Sequence, residues 1–461
     1  MRQILEAAQA SRAKYWHCGN YKLSLERPLI MAVLNATPDS FSDGGSYPQI
    51  EDAYNAALRM LDEGADIIDI GGESTRPGSS AVDPKEEQER VIPIIKAIKQ
   101  RLPQAIISID TRNAQTAAQA LEAGACIIND VSGFSSPEMQ ALAAEKDCGL
   151  ILMHMRGTPQ TMQEDVYYDD VVQEVYDYLI RQAKSLEDLG VESTRIMIDP
   201  GPGFGKRDLH DAALQSSFER FAASPYPVLE AVSRKRFVSE LSGIANPKER
   251  DLCSAVLSLE ACYQGANMVR VHSPKSFFQA FCASQLSYTK EKIVYVALGS
   301  NLAFNHENYG LLEPQDIVLK AYKNFDELPL TRALELSHLY QSKPAYYEEQ
   351  GLFVNAVAKL STALPALVLI EKLLDLEQSF GRQRLIKDGP RSLDLDLIFY
   401  AHELHAKPRL ILPHPALAER DFVIKPLLDL MPKQELEQRL RDAGMNAVVP
   451  EEERYGTAWR I

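Results

Sequence analysis

The sequence predicts an α/β chain in two parts, a (β/α)8 TIM barrel followed by a smaller α+β ferredoxin-like domain. Three observations carry this. Between about residues 28 and 285, eight short apolar runs rich in β-branched residues alternate with longer stretches of helical period. After residue 290 the order becomes strand, helix, two strands, helix, strand. A length of 461 residues exceeds one ordinary domain and suits two or three.

The first-half runs are LIMAVLN (29–35), ADIIDIG (65–71), AIISID (105–110), ACIIND (125–130), GLILMH (149–154), RIMID (195–199), PVLEAVS (227–233) and NMVRVH (267–272). Nearly continuous apolar character marks strands covered on both faces, as in a closed barrel ringed by helices. An open, doubly wound sheet is the alternative, because periodicity does not reveal closure. The intervening amphipathic stretches include IEDAYNAALRMLDEGA, AQTAAQALEAGA and SPEMQALAAEKDCG, several closing on a Gly suited to a helix C-cap. In the second half KIVYVALGSN (292–301) opens as a strand. A helix near 315–326, the runs ELSHLYQS and LFVNAVAKLS, the helix PALVLIEKLLDLEQSFG and the strand SLDLDLIFY follow. The expected boundaries are an N-terminal extension 1–27, a barrel 28–286, a linker 287–292, a second domain 293–433 and a tail 434–461.

With 49 Lys and Arg against 64 Asp and Glu, the chain carries a formal charge of −15. That balance disfavours a dedicated nucleic-acid or anionic-membrane binder, so an anionic ligand must meet a local positive site. Six cysteines without a C-x-x-C or His-flanked pair argue against a zinc site or a disulfide framework and read as buried thiols. The N-terminus lacks the pattern of a secretory signal, and no apolar run approaches the ~18 residues of a spanning helix. A cytoplasmic location is expected.

In a closed barrel, reactive groups gather at the C-terminal ends of the strands. The polar residues there are Asn35, Asp69, Asp110, Asn129, His154, Asp199, Ser233 with Lys235, and Arg270 with His272. A single such residue is ordinary helix-capping or turn chemistry; convergence of so many on one rim points to a site. Asp and Asn match the donor–acceptor edge of a planar nitrogen heterocycle, whereas Lys235, Arg270 and His272 suit a phosphate or pyrophosphate. Asn35 offers a carbonyl oxygen to Mg²⁺. The loops TPDSFSDGG (37–45) and GGESTRPGSS (71–80) are either surface turns or lids that bring Phe41, Thr75, Arg76 and Pro77 over the site. GPGFGK (201–206) departs from the G-x-x-x-x-G-K-[ST] pattern and is no Walker loop.

In the second half, strict alternation along SLDLDLIFY puts Asp394 and Asp396 on one strand face and Leu393, Leu395 and Leu397 on the other. Two carboxylates so placed repel unless a cation lies between them, which makes a shared Mg²⁺ site the natural reading; a solvated edge-strand face is the bland one. Arg391 and His414 nearby favour a nucleotide site, and Arg382, Arg384 and Lys387 in GRQRLIKDGPR add donors for a polyphosphate.

Residues 28–285 resemble dihydropteroate synthase, through MAVLNATPDSFSDGG, DIIDIGGESTRPGS, SIDT, IND, IDPGPGFGK, SRKRF and RVH. The resemblance implies a (β/α)8 barrel that joins 6-hydroxymethyl-7,8-dihydropterin diphosphate to 4-aminobenzoate, commonly as a homodimer. It implies that Asp110, Asn129 and Asp199 meet the pterin edge and that Lys235 reaches the ring. Arg270, His272 and Asn35 would hold the pyrophosphate and its Mg²⁺, and Thr75, Arg76, Phe41, Pro77, Phe204 and Ser233 would frame the aminobenzoate pocket. Ser273 stands where that family often has Asp.

Residues 293–433 resemble 6-hydroxymethyl-7,8-dihydropterin pyrophosphokinase, through ALGSN, LFVNAV, LEQSFGRQR, GPRSLDLDL, LPHPAL and ERDFVIKPL. This implies transfer of pyrophosphate from ATP, with Asp394 and Asp396 binding Mg²⁺ and Glu377, Arg391, Arg409 and His414 contacting the nucleotide. It further implies that Asn355 binds the pterin, stacked between Phe353 and Phe422. Asp388 stands where a Trp is frequent, in a loop one residue short, and NHENYGLLEP (305–314) is an insertion. The two resemblances together imply a bifunctional folate-pathway enzyme acting on small molecules. The alternatives are a barrel of the pterin-binding methyltransferase kind, and an active barrel beside a non-catalytic kinase-like platform.

Overall fold

The computed structural model describes residues 13–36, 47–73, 82–163, 166–285, 291–345, 349–382, 389–407, 410–445 and 457–461. It divides between Ala283 and Ser284 into two compact units.

The first unit begins with an antiparallel hairpin, β1 (Tyr15–Cys18) and β2 (Tyr21–Ser24). Eight parallel strands follow: β3 (Leu29–Asn35), β4 (Ile67–Gly71), β5 (Ile106–Asp110), β6 (Ile127–Asp130), β7 (Gly149–Met153), β8 (Ile196–Asp199), β9 (Leu229–Glu230) and β10 (Met268–Val271). Their order is β8-β7-β6-β5-β4-β3-β10-β9. A parallel bridge between Ile198 and Val228 joins the two ends, and the Ile198 amide donates to the Pro227 carbonyl at 2.9 Å. The sheet is therefore a closed barrel, and the open doubly wound alternative is excluded. Apolar residues on both strand faces explain the closure, since one set fills the interior and the other packs beneath the helices.

Those helices are α1 (Tyr47–Asp62), α2 (Pro84–Arg101), α3 (Ala114–Glu122), α4 (Pro137–Glu145), α5 (Val171–Asp188), α6 (Asp208–Gln215), α7 (Phe218–Ala222), α8 (Arg236–Ser242), α9 (Asp251–Gln264) and α10 (Pro274–Gln285). Local chemistry sets their ends. Asp83, Ser136 and Asp170 accept backbone N–H bonds at the starts of α2, α4 and α5, and Gly265 at φ 112° ends α9 in the left-handed region that a side chain disfavours.

The β1–β2 hairpin belongs to the barrel core. Trp16 and Cys18 are fully buried against Leu29, Ile67, Ile106, Ile127, Leu229 and Met268, the first residues of six barrel strands. The Trp16 indole N–H also donates to the Arg195 carbonyl at 2.9 Å. The hairpin thus plugs the N-terminal end of the barrel and leaves the C-terminal rim for ligands.

The second unit contains β11 (Lys292–Ser300), β12 (Phe304–His306), β13 (Gly310–Leu312), α11 (Pro314–Asn324), β14 (Thr331–Leu336), β15 (Tyr340–Ser342), β16 (Phe353–Thr362), α12 (Ala366–Ser379), β17 (Asp394–Tyr400), β18 (His405–Lys407), β19 (Leu410–Leu412), α13 (Asp421–Leu430), α14 (Lys433–Asp442) and β20 (Ala458–Arg460). Its antiparallel sheet has the order β17-β11-β16-β15-β20, with β14 also pairing with β16. With β14 and β15 counted as one interrupted strand, this is the ferredoxin-like arrangement. Helices α11 and α12 cover one face through Ile317, Val318, Leu369 and Leu373, and α13 and α14 cover the other through Ile424, Leu427, Leu436 and Leu440. Residues 434–461, expected as a tail, contribute most of α14 and all of β20 to this unit. Leu436 and Leu440 are fully buried, and β20 extends the sheet at β15. The 305–314 insertion forms the small β12–β13 hairpin.

Among the described residues no helix is long and apolar enough to cross a membrane. Removing the barrel plug leaves a large apolar void, so Trp16→Ala is expected to cost roughly 3–5 kcal/mol of barrel stability. Urea unfolding followed by far-UV circular dichroism measures this, and a loss below about 1 kcal/mol would show that the hairpin is no part of the core.

Candidate active sites

Parallel register sets the barrel rim. Asp110 on β5 pairs in register with Asn129 on β6, and Met153 on β7 with Asp199 on β8. Asp69 lies one inward-facing level deeper, opposite Ser108. Arg270, arriving on β10, reaches both levels. Its Nε donates to Asp69 Oδ2 at 2.7 Å and a terminal nitrogen donates to Asp110 Oδ2 at 2.6 Å. Asn129 Nδ2 donates to the same Asp69 oxygen at 3.1 Å. The Oδ1 atoms of Asp69 and Asp110 are buried with no hydrogen-bond partner among the described residues. Such acceptors suit a ligand that brings N–H donors. Burial pushes the Asp110 carboxyl up to about 7 against the pull of Arg270.

On the far side of the rim, Lys235 follows β9 in the turn Ser233–Lys235. Its ammonium donates to the Pro202 carbonyl and lies 4.6 Å from the centre of the Phe204 ring. Burial pulls its pKa down to about 8, partly offset by the Asp199 carboxylate. The turn is held from behind: Arg234 makes two bonds to Asp251 at 2.6 and 2.7 Å, and Arg250 donates to the Arg234 carbonyl at 3.0 Å. Ser233 Oγ lies 3.1 Å from His272 Nδ1 and accepts the His272 amide at 3.1 Å, which joins two expected site residues. Asn35 ends β3 half-buried. Phe41, Thr75, Arg76 and Pro77 lie outside the described residues.

In the second unit, three strands build a floor from small residues. Gly299 on β11 is flanked in register by Asn355 on β16 and Asp394 on β17, and Ala297 faces Asp396. Above this floor is a cavity of about 240 Å³ lined by Phe353, Asn355, Arg382, Arg391, Asp394, Asp396, His414 and Phe422, all expected site residues, together with Ser342, Lys343 and Arg420. Three arginines and a neutral histidine surround the two aspartates. Arg382 and Arg391 each lie 2.7 Å from Asp394, whereas Arg420 and His414 lie 3.5 and 4.0 Å from Asp396. Burial and the neighbouring Asp396 charge push the Asp394 carboxyl up, and burial pulls His414 down to about 4. Asn355 Nδ2 donates to Ser342 Oγ at 3.0 Å.

Glu377, expected at the nucleotide, turns inward. Its carboxylate is 2% exposed, accepts the Leu395 amide at 2.7 Å and pairs with Arg382, so it braces β17 rather than lining the cavity. Arg384, Lys387, Asp388 and Arg409 lie outside the described residues.

Residues 31–272 match the family model described as pterin binding enzyme. The chain belongs to the pterin binding enzyme family. Residues 295–432 match the 7,8-dihydro-6-hydroxymethylpterin-pyrophosphokinase model, so this family member carries a pyrophosphokinase domain after its barrel. Dihydropteroate synthase of Escherichia coli K12 is 42% identical over 258 residues, spanning 56% of this chain and 91% of that protein. The Streptococcus pyogenes serotype M18 enzyme is 46% identical over 249 residues, 54% of this chain and 91% of that one. Among solved structures, Xanthomonas albilineans dihydropteroate synthase with 4-aminobenzoic acid is 38% identical with a TM-score of 0.56, covering 60% of this chain and 99% of its own. Burkholderia cenocepacia dihydropteroate synthase complexed with 7,8-dihydropteroate is 39% identical with a TM-score of 0.54, covering 59% and 96%.

Several residues of the two units carry more than the sequence alone assigns. Asp69 stood among the strand ends without a role, yet it is the anchor shared by Arg270 and Asn129. Glu230 is fully buried, with its carboxylate accepting Ser258 Oγ at 2.7 Å and the Val232 amide at 3.1 Å, just before the Lys235 turn. A charge inside the apolar run PVLEAVS was the available signal. Arg420 lay in the quoted ERDF segment, where only folding shows that it faces Asp396.

Burial pushes the Glu230 carboxyl up to about 7. Because the folded value exceeds the unfolded one of ~4.3, the folded barrel holds this proton more tightly, so the associated stability is present below pH ~4 and lost as pH rises through about 7. The loss is on the order of 3 kcal/mol. Glu230→Gln should remove that component, giving a barrel whose urea midpoint falls less between pH 5 and pH 8 than the wild type's; parallel profiles would exclude it.

Proposed function

We propose that the chain catalyses two consecutive steps of folate biosynthesis. The second unit transfers pyrophosphate from ATP to 6-hydroxymethyl-7,8-dihydropterin with release of AMP. The barrel then joins the pterin diphosphate to 4-aminobenzoate, giving 7,8-dihydropteroate and pyrophosphate. The observation that carries this reading is the joining, in one chain, of a pterin-binding barrel and a pyrophosphokinase domain, each with its polar cluster assembled. The product of one reaction is the substrate of the other.

In the barrel, Asp110, Asn129 and Asp199 present their polar atoms to the edge of the pterin, whose N–H groups satisfy the unpartnered Asp110 oxygen. Arg270 lies across this pocket and, with His272, supplies donors for the departing pyrophosphate. Scission of the C–O bond leaves the electron pair on pyrophosphate, and the aminobenzoate nitrogen forms the new C–N bond and loses a proton. A site rich in anion donors favours such a departure by stabilising the developing charge. Lys235, held near 8 beside Phe204, adds a positive charge at the ring. Phe204 and Ser233 frame the aminobenzoate side, and the lid residues Phe41, Thr75, Arg76 and Pro77 complete it. Asn35 would offer one amide oxygen to Mg²⁺, which would supply charge neutralisation for the departing pyrophosphate.

In the second unit, Asp394 and Asp396 are hard oxygen donors on one strand face beside a polar cavity, a donor set that fits Mg²⁺. When bound, that ion neutralises polyphosphate charge and orients the transferred group. Arg382, Arg391 and Arg420 serve the ATP phosphates; Asn355, Phe353 and Phe422 bind the pterin, with Asn355 oriented by Ser342. His414, Arg384 and Arg409 complete the nucleotide contacts, and Glu377 positions Arg382. A non-catalytic platform gains no support from a cavity that retains both carboxylates and the arginines.

A cytoplasmic location suits both reactions. Leu252, Val256 and Tyr263, exposed along one face of α9, support a homodimer through the barrel.

The deciding experiment supplies ATP, Mg²⁺, 6-hydroxymethyl-7,8-dihydropterin and 4-aminobenzoate to the full chain and follows AMP and dihydropteroate separately. Both products are expected; folded protein that forms neither, and leaves supplied pterin diphosphate unused, would refute the reading. Asp396→Ala should lower AMP formation by at least about 10³-fold while sparing condensation of supplied pterin diphosphate. Lys235→Ala and Asp110→Ala should do the converse, and a correctly folded Lys235→Ala protein with normal condensation would remove that residue from the site.

A further inference from the structure

The turn after β8, GPGFGK, contains three glycines at positive φ: Gly201 at 63°, Gly203 at 82° and Gly205 at 66°. At Gly201 a Cβ would lie 2.2 Å from the His154 carbonyl oxygen, so the chain passes there only without a side chain. Several carbonyls converge inside the turn, and the group that meets them is Lys206. Its ammonium lies 2.8 Å from the Gly201 oxygen, 3.0 Å from the Phe204 oxygen, 3.2 Å from the His154 oxygen and 2.8 Å from His154 Nδ1. The residue is 1% exposed. Burial pulls its pKa down to about 7 against the Asp211 and Asp199 carboxylates; in the charged form it has protons but no acceptor, so His154 then accepts through Nδ1 and carries its own proton on Nε2. Burial and the Lys206 charge hold His154 neutral, with a pKa of about 2.

Carboxylates pin the amide side of the turn, Asp199 accepting from Gly201 N and Asp211 from Gly203 N, each at 2.7 Å. The outer side meets Lys235, through the Pro202 carbonyl and the Phe204 ring. Lys206 therefore shapes the inner face of a turn whose outer face receives the ammonium proposed to act at the pterin.

We infer that Lys206 is a positioning residue for the barrel reaction, an internal hydrogen-bond donor that holds the 201–206 turn in the shape that places Pro202 and Phe204 against Lys235. This inference rests on the condensation reading of the barrel. Lys206 lies behind the turn and acts through it. Without the ammonium, buried carbonyls lose their donor, the turn opens, and Lys235 is rehydrated. The charged groups around Lys235 are Asp199, Asp211, Glu230 and Arg270, which Lys206→Met leaves in place, and Lys206 itself, whose removal also raises the Lys235 pKa, so amide exchange is the readout that reports the turn.

The test uses Lys206→Met in the full chain, with AMP formation by the second unit as an internal control. Exchange of the Gly201 and Gly203 amides is expected to rise at least about 10-fold, because the turn then opens locally. The kcat for condensation should fall by on the order of 10²-fold, the scale of a displaced active-site group. KM for the pterin diphosphate should change less than about threefold, since Asp110 and Asn129 stand on other strands. The pH–rate limb set by Lys235 should move from about 8 toward the ordinary lysine range, as rehydration removes the burial that lowers it. Wild-type exchange with an unmoved limb overturns the inference, as does a kcat loss without faster exchange.

If the Lys206→Met barrel does not fold, His154→Phe decides. It removes one acceptor and keeps a ring against Tyr178, now 4.9 Å away, so the same shifts should appear at smaller size, and wild-type behaviour overturns the inference. A wild-type chain that folds but makes no dihydropteroate defeats the functional reading instead, while the exchange measurement still judges the turn.

Discussion

Arg270 meets Asp69 and Asp110 because the eight-stranded ring closes, and the C-terminal rim of the barrel depends on that meeting. Each partner is costly to bury alone, since a desolvated charge must be paired and hydrogen-bonded to persist. Pairing links β10 to β4 and β5, and Asn129 joins through the shared Asp69 oxygen. The same logic runs round the rim, where Lys235 and Lys206 stand among Asp199, Asp211 and Glu230. In a chain of net charge −15 the rim thereby holds its three cations by pairing them with acidic side chains, which fixes their positions as donors.

The second unit solves a related problem by other means. Its aspartates share one strand face by alternation alone, and their repulsion is offset by three arginines from separate segments. Small residues at 297 and 299 lower the floor between them and Asn355, so the cavity follows from what β11 lacks. Glu377 adds a brace from α12, tying the Leu395 amide and Arg382 together beside Asp394. Elements at the two chain ends serve as supports: the N-terminal hairpin seals the barrel away from its rim, and β20 lengthens the sheet next to Ser342, the partner of Asn355.

Much of this was legible before folding. Eight apolar runs announced eight strands covered on both faces, since such strands need no alternation, and the D-x-D spacing placed two carboxylates together whatever the tertiary context. Polar residues at strand ends marked the rim. Less legible was the run 227–233, of which only Leu229 and Glu230 form a strand, because the following turn must release Ser233 and Lys235 toward the site. Residues 1–27 and 434–461 were expected only as an extension and a tail, because amphipathic pattern does not say which distant surface an element covers.

The sequence by itself determined the order of elements in each half, and the chemistry at the strand ends and along SLDLDLIFY. Those features are local, set by periodicity, spacing and residue type. Only the tertiary structure decided that the barrel closes, that Asp69 and Asp110 together hold Arg270, that Glu377 faces inward, and that Lys206 sits within a ring of carbonyls. Each of those depends on atoms brought together from separate strands and loops, and burial, which local sequence does not encode, then sets which charges must be paired and how their protons are held.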